Sequence, residues 1–258
     1  VNGGWRRLAL LLGLCVLLVT PARAQGVEVT YLGNMGVLLE GGGARILVDA
    51  LFRDSMDPYA RHSRDVQEQL ETGAKPYDRV ALALATHFHL DHWDAGAVTR
   101  FLRTHPAALF GSTEHGVAMM PYDVRDRARN LWPAAGATSS SLEVAGTTVT
   151  SFPLVHGKTQ NLGYRIALGG RTLAHLGDAD PSEENTRRLA SIASVDVLFV
   201  PFWWLQDAKA VAFLKTTWKP SSVVALHFGT TDLDARGPMQ AAYPGLWTAE
   251  RPLESRRY

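Results

Sequence analysis

The chain has 258 residues, 46% of them hydrophobic and 20% charged, a balance that fits a globular protein and excludes a disordered or collagen-like one. Lys plus Arg number 26 against 25 Asp plus Glu, so there is no basic excess to hold a nucleic-acid backbone. The single cysteine, Cys15, excludes an internal disulfide framework and a Cys-rich zinc ribbon, whereas nine histidines leave room for other metal chemistry.

Residues 1–24 read as a secretion signal. Arg6 and Arg7 precede an apolar run from Leu8 to Thr20, and Ala22-Arg23-Ala24 has the small-residue form of a cleavage site. The run is shorter than the roughly 20 residues a membrane-spanning helix needs. Cleavage removes Cys15 and three arginines, taking the formal charge from +1 to −2. The expectation is a signal peptide over 1–24 and one domain over 25–258. The product would be secreted or periplasmic in a bacterium, with no stable membrane span and no nucleic-acid partner.

Downstream, Val27 to Leu32 alternates as a strand should, Gly36 to Glu40 follows Gly33-Asn34, and Gly41-Gly42-Gly43 turns the chain into Ala44 to Ala50. A polar stretch follows, with a helix expected over Ser63 to Glu71. Val80 to Ala85 is a continuous apolar run, the pattern of a strand covered on both faces. Asp94 is placed to cap a helix reaching about Leu102. Ala107 to Phe110 is a short strand, then comes a loop-and-helix region containing Pro121 and Pro133. Leu142 to Leu154 reads as a hairpin about Gly146, and strands at Leu162 to Ala167 and Arg171 to Leu176 flank Gly169-Gly170. A helix over Ser182 to Ile192, a strand over Val195 to Pro201, a helix over Gln206 to Thr216 and a strand over Val223 to Leu226 complete the pattern. No repeat recurs, and hairpins followed by alternating strands and helices predict one α/β domain of sheets with helices on their outer faces. The polar tail, Arg236 to Tyr258, has three open fates: folding over a site, pairing with a second subunit, or staying loose.

The densest chemistry lies in Thr86-His87-Phe88-His89-Leu90-Asp91-His92-Trp93-Asp94, directly after an apolar strand. Alternation in an extended stretch points His87, His89 and Asp91 the same way, and a turn brings His92 beside them. Three imidazoles and a carboxylate suit zinc, and manganese or iron also accept such a set. Three more candidates stand where strands end: His156 after Phe152 to Val155, Asp178 after Leu176-Gly177, and His227 after Val223 to Leu226. Asp49 is either a locally bonded strand-end carboxylate or a residue that orients a ligand histidine. His175 reads as a structural histidine, and His62, His105 and His115 as surface residues. Trp203 and Trp204 are either core or an apolar wall near substrate.

H-x-H-x-D-H, then His156, Gly177-Asp178 and His227 in that order, resembles the metallo-β-lactamase superfamily. Tyr31-Leu32-Gly33-Asn34, Val48-Asp49 and Asp91-His92-Trp93-Asp94 are similar to its lactonase-like and N-acyl-phosphatidylethanolamine phospholipase-like branch. The resemblance implies an αβ/βα sandwich of two mixed sheets with a dinuclear metal site at one edge. By motif, His87, His89 and His156 would hold one metal, Asp91, His92 and His227 a second, and Asp178 would bridge them. It further implies two Zn2+ (or Mn2+ or Fe2+), with Asp91 and Asp178 as catalytic carboxylates. The implied activity is that of a zinc-dependent hydrolase whose dinuclear site directs hydroxide at a lactone, ester or amide-type carbonyl. The substrate would be a small molecule or a lipid. A phospholipid phosphodiesterase and an iron-dependent redox enzyme on the same fold are the alternatives.

Overall fold

Val27, Val29 and Tyr31 are buried while Glu28 and Thr30 between them are not, which is the alternation that starts the first sheet. The computed structural model describes residues 26–258, so the expected signal at 1–24 lies outside the described residues. Its strands are β1 (Val27–Gly33), β2 (Gly36–Gly41), β3 (Ala44–Val48), β4 (Leu82–Leu84), β5 (Leu109–Ser112), β6 (Ala128–Asn130), β7 (Ser140–Val144), β8 (Thr147–His156), β9 (Thr159–Leu168), β10 (Arg171–His175), β11 (Val197–Pro201), β12 (Ser222–Leu226), β13 (Trp247–Thr248) and β14 (Ser255–Arg257). The helices are α1 (Arg64–Thr72), α2 (Ala95–Thr104), α3 (Glu114–Ala118), α4 (Tyr122–Arg125), α5 (Glu183–Ala190), α6 (Ala208–Phe213) and α7 (Arg236–Ala242).

The strands form two seven-stranded sheets, ordered β14-β1-β2-β3-β4-β5-β6 and β13-β12-β11-β10-β9-β8-β7. Both are mixed. In the first, β14 to β3 pair antiparallel and β3 to β6 parallel; in the second, β7 to β10 pair antiparallel and β10 to β13 parallel. Leu39, Leu84, Ile166 and Phe199 belong to the apolar layer between the sheets. A second layer joins Leu70 of α1 and Phe101 of α2 to Leu47 and Ala83 of the first sheet. A third joins Leu189 of α5 and Leu214 to Leu198 and Val223 of the second. Helices therefore cover both outer faces, as expected for the αβ/βα sandwich.

Parallel register sets the position of the site. Val48 of β3 lies opposite Leu84 of β4, so the residues that leave these strands, Asp49 and Ala85-Thr86, emerge side by side. His175 of β10 pairs with Phe199, and Pro201 with Leu226 of β12, so Asp178 and His227 leave the second sheet at the same edge. Crevices outside the carboxyl ends of parallel strands are where α/β sheets bind ligands.

Local differences from expectation have local causes. Asp94 caps α2 by accepting from the Ala97 amide at 2.8 Å, as expected. The helix expected over Gln206 to Thr216 starts at Ala208, because the Asp207 side chain caps it there, and it finishes as a wider π-turn over Leu214–Trp218. The tail does not stay loose. Its β14 pairs with β1 and its β13 with β12, so it closes an edge of each sheet. His62 and His105, expected on the surface, are each only 6% exposed. His105 is bonded to the Phe101 and Tyr77 carbonyls and packs under Gly73. His62 stacks on Phe52. His115 is exposed, as expected. Among the described residues no helix is long and apolar enough to cross a membrane.

Candidate metal centre

All seven residues singled out by motif converge at this edge. His87, His89, His156 and Asp178 form one donor group, and Asp91, His92 and His227 form another. Asp178 Oδ2 faces both: it lies 3.2 Å from His227 Nε2 and 3.3 Å from His92 Nε2, and 3.8 Å from His87 Nε2 and 4.0 Å from His156 Nε2. Asp91 Oδ2 is 3.5 Å from His227 Nε2 and 3.7 Å from His92 Nε2.

Several polar atoms here are buried with no hydrogen-bond partner, among them His92 Nε2, His227 Nε2, Asp91 Oδ1 and Asp178 Oδ1. Buried polar atoms are normally satisfied. A cluster of orphaned imidazole nitrogens and carboxylate oxygens fits a divalent cation, with nitrogen and oxygen ligands of the kind zinc, manganese and iron take.

The candidate ligands are held by a network that local reading only partly exposes. Asp49 is fully buried; its Oδ1 accepts the Thr86 amide at 2.7 Å, and its Oδ2 accepts the Thr86 hydroxyl at 2.7 Å and His92 Nδ1–H at 2.8 Å. The Thr86 oxygen in turn accepts from His87 Nδ1 at 3.0 Å. One carboxylate thus orients two imidazoles, one directly and one through a hydroxyl, and leaves both Nε2 atoms facing the cluster. The role of Asp49 is therefore to orient, not merely to bond locally.

Asn34 does the same for Asp91, donating from Nδ2 to its Oδ2 at 2.9 Å and to its carbonyl at 3.1 Å. Asn161 fixes the turn into Asp178: its Nδ2 donates to the Leu176 carbonyl and its Oδ1 accepts the Asp178 amide. Gly177 lies between them with φ +55°, and a Cβ there would come within 2.4 Å of Asn161 Oδ1. His175 is satisfied at both nitrogens, by the Met35 carbonyl and the Gly177 amide, which is the structural role expected of it. Asn34, Asp49 and His227 all have positive φ, at 46°, 48° and 68°. Each such conformation costs on the order of 1–3 kcal/mol and persists where surrounding structure imposes it.

Electrostatics divide the cluster. Burial pushes His87 well below the usual imidazole range, helped by the neighbouring His92. Burial acts the same way on His92, but the Asp178 and Asp49 carboxylates outweigh it and hold the ring well above that range. Burial would raise Asp178, yet His92 and His227 keep it well below the ordinary carboxylate value. Without cations the site is thus an internal salt of imidazolium and carboxylate. Metal binding displaces those protons, so affinity falls as pH is lowered.

Two aromatic rings wall the His227 side: Tyr59 edge-on at 4.3 Å and Trp203 at 5.0 Å between centroids. Trp204, by contrast, is fully buried core. The neighbouring indoles diverge in the 3-10 turn Phe202–Leu205, although both donate to the Ala179 carbonyl. Tyr59 carried no motif. A position 168 residues from His227 has no local signal, and the isolated bridge from Tyr59 to Gly229 is what brings it there.

Asn34→Ala is expected to leave the fold intact and weaken metal binding about tenfold to a hundredfold, read by competition with a chromophoric chelator. Unchanged affinity would mean that Asp91 is oriented by other groups.

The beta-lactamase superfamily domain model matches residues 28–227. A UPF0173 metal-dependent hydrolase of Anaeromyxobacter sp. (strain K) is 25% identical over 244 residues, covering 87% of this chain and 84% of that protein. The metallo-beta-lactamase fold protein YhfI of Bacillus subtilis superposes with a TM-score of 0.64 at 15% identity, over 91% of this chain and 100% of that one. CmlA, a diiron beta-hydroxylase of Streptomyces venezuelae, superposes with a TM-score of 0.59 at 16% identity, over 93% of this chain and 55% of that one. At such identities the two structural likenesses speak for the fold alone.

Proposed function

The chain belongs to the beta-lactamase superfamily, and from that premise we propose that it is an exported metal-dependent hydrolase with a two-metal site, acting on a lactone, ester or amide-type carbonyl. The observation that carries this reading is the place of Asp178 Oδ2, within 4.0 Å of four imidazole nitrogens drawn from both donor groups. The metal-dependent hydrolase name of the Anaeromyxobacter relative supports it. Zinc is the metal proposed, since imidazole-rich sets with carboxylates suit it.

Bound divalent cations would supply Lewis acidity and lower the pKa of water to near neutrality. The chain itself does the rest. Asp178 and the His87–Asp49–His92 network fix where the cations and the attacked carbonyl sit. Asp91 Oδ2 is committed to Asn34, while its Oδ1 has no partner, so Oδ1 is the atom that takes the proton lost by attacking water and passes it to the leaving group. Tyr59 and Trp203 line the His227 side and bind the apolar part of the substrate.

A second reading, phospholipid phosphodiesterase, is favoured by a specific patch. Phe88, Leu90 and Met119 are 37%, 54% and 46% exposed, and Phe88 stacks on His115 while its edge meets His89. Apolar side chains next to a ligand histidine suit a lipid tail. An iron redox enzyme is the third, since CmlA, on a similar fold, is a diiron beta-hydroxylase.

Zinc-loaded protein purified from the exported fraction should open a lactone faster than it cleaves a phosphodiester, and Asp178→Ala should abolish the activity. Faster phosphodiester cleavage would move phospholipids to the front. Iron as the native metal together with no hydrolysis would favour the redox enzyme. Metal at background levels would end the two-metal reading. Sequencing the same sample should give Gln25 as the first residue; Val1 would remove the export proposal.

A further inference from the structure

The helix α5 buries two of its residues, Asn185 and Leu189, one turn apart. Leu189 packs with Leu154 and Leu198 in the apolar layer outside the second sheet, as the inward stripe of an amphipathic helix should. Asn185 stands on the same stripe and is fully buried, where an amide costs stability unless its hydrogen bonds are made. They are made to two segments at once. Its Oδ1 accepts the Val155 amide at 2.8 Å, and its Nδ2 donates to the Val155 carbonyl at 2.9 Å and to the Asp180 carbonyl at 2.8 Å.

Topology explains why a helix side chain is needed there. β7 pairs with β8 only as far as Ser151, so the rest of β8 has no strand on that side among the described residues. α5 supplies the missing partners. Arg188 donates to the Pro153 carbonyl at 2.9 Å, and the Asn185 carboxamide pairs with both main-chain groups of Val155, as a peptide group of an adjacent strand would.

The residue after Val155 is His156. Unlike the rings of His87 and His92, its ring makes no hydrogen bond among the described residues. Carboxylate oxygens approach it at 3.9 Å (Asp180 Oδ1) and 4.0 Å (Asp178 Oδ2). Its place is therefore set by main chain. On one side Val155 is held by Asn185 and by the Asp180 amide, which donates to the Val155 carbonyl at 2.8 Å. On the other the Gly157 amide donates to Asp180 Oδ2 at 3.1 Å. Among the described residues Asn185 is the one side chain bonded to both Val155 and Asp180. Asp178 depends on it less, since Asn161 accepts the Asp178 amide and the indoles of Trp203 and Trp204 hold the Ala179 carbonyl.

We propose that Asn185 is the positioning residue for His156. It sets the end of β8 against the turn that presents Asp178, and so decides how tightly the His87–His89–His156 group holds its cation. It touches neither cation nor substrate and acts only through the backbone on both sides of His156. The inference rests on the two-metal reading and deepens it, by tying one of the two ions to a helix on the outer face of the second sheet.

Asn185→Asp is nearly isosteric and keeps an acceptor for the Val155 amide, but it sets a carboxylate oxygen against the Val155 and Asp180 carbonyls where a donor stood. The full chain would be titrated with cobalt, read by its visible ligand-field bands, and with zinc against a chromophoric chelator. The substitution should weaken one of the two ions about tenfold to a hundredfold and the other far less. In a His156→Ala background it should weaken binding less than about twofold, because a residue that acts through another does not add to its loss. Equal losses in both backgrounds, or at both ions, would make Asn185 a tie between helix and sheet and overturn the proposal. Should Asn185→Asp fail to fold, the side-chain amide resonances of Asn185 give the answer in the unsubstituted chain. Zinc should shift them, and shift them far less in His156→Ala; equal shifts in the two proteins would overturn the assignment. An unsubstituted chain that takes up no second ion would end the two-metal reading and this inference with it. Two ions held as tightly in Asn185→Asp would end this inference alone.

Discussion

On the proposed two-metal reading, Asp178→Asn is expected to lower hydrolysis by on the order of 10³-fold or more and to reduce bound metal from two ions to one or none. The side chain keeps its shape, and the Asp178 amide still reaches Asn161 Oδ1, so the fold should survive. What is lost is charge. The Oδ2 atom faces His227 and His92 at 3.2 and 3.3 Å and His87 and His156 at 3.8 and 4.0 Å. It is therefore the carboxylate oxygen common to both donor groups. Two divalent cations about 3.5–4 Å apart repel strongly in a buried site, and a shared anion is what lets both remain. Native mass spectrometry gives the metal count and a melting curve checks folding. Two tightly held ions in a folded Asp178→Asn protein would mean that the carboxylate does not bridge.

The candidate ligands are legible in the sequence because apolar runs mark where strands end. Phe152 to Val155 and Val223 to Leu226 are each followed directly by a histidine and Val80 to Ala85 by Thr86-His87, and the crowding of His87, His89, Asp91 and His92 has no ordinary structural use. What supports the ligands is less legible, since it depends on pairing between distant segments. Asp49 meets Thr86 and His92 only because Val48 pairs with Leu84. The sequence cannot show which of two shifted registers holds, and only one of them puts that carboxylate under the histidine.

Polar neighbours also mislead. His62 and His105 sit in polar stretches, yet packing across the outer face of the first sheet buries both. Trp203 and Trp204 are chemically identical neighbours, and a tight 3-10 turn sends one toward His227 and the other into the core. The closing strand β14 escapes detection for the opposite reason. All three of its residues are exposed, so no alternation marks it, as is common for strands on a sheet edge.

Asp49 separates ligand orientation from ligation, and its two substitutions should behave differently. Asp49→Ala removes the acceptor for the Thr86 amide, the Thr86 hydroxyl and His92 Nδ1–H. Leaving buried donors and a buried imidazolium unpaired should cost about 3–5 kcal/mol of stability, read from denaturant unfolding of metal-free protein. Asp49→Asn keeps an acceptor for the Thr86 amide but places an amide N–H where Oδ2 was. That group is a donor facing His92 Nδ1, so the ring gives up its Nδ1 proton and keeps only the one on Nε2, the atom facing Asp178. Metal affinity should then fall about tenfold to a hundredfold while stability changes far less. The 15N shifts of His92 in metal-free protein report the proton position directly. If Asp49→Asn leaves the Nδ1–H form in place and the metal as tightly held, the carboxylate is only a packing element and the orienting role assigned to it is wrong.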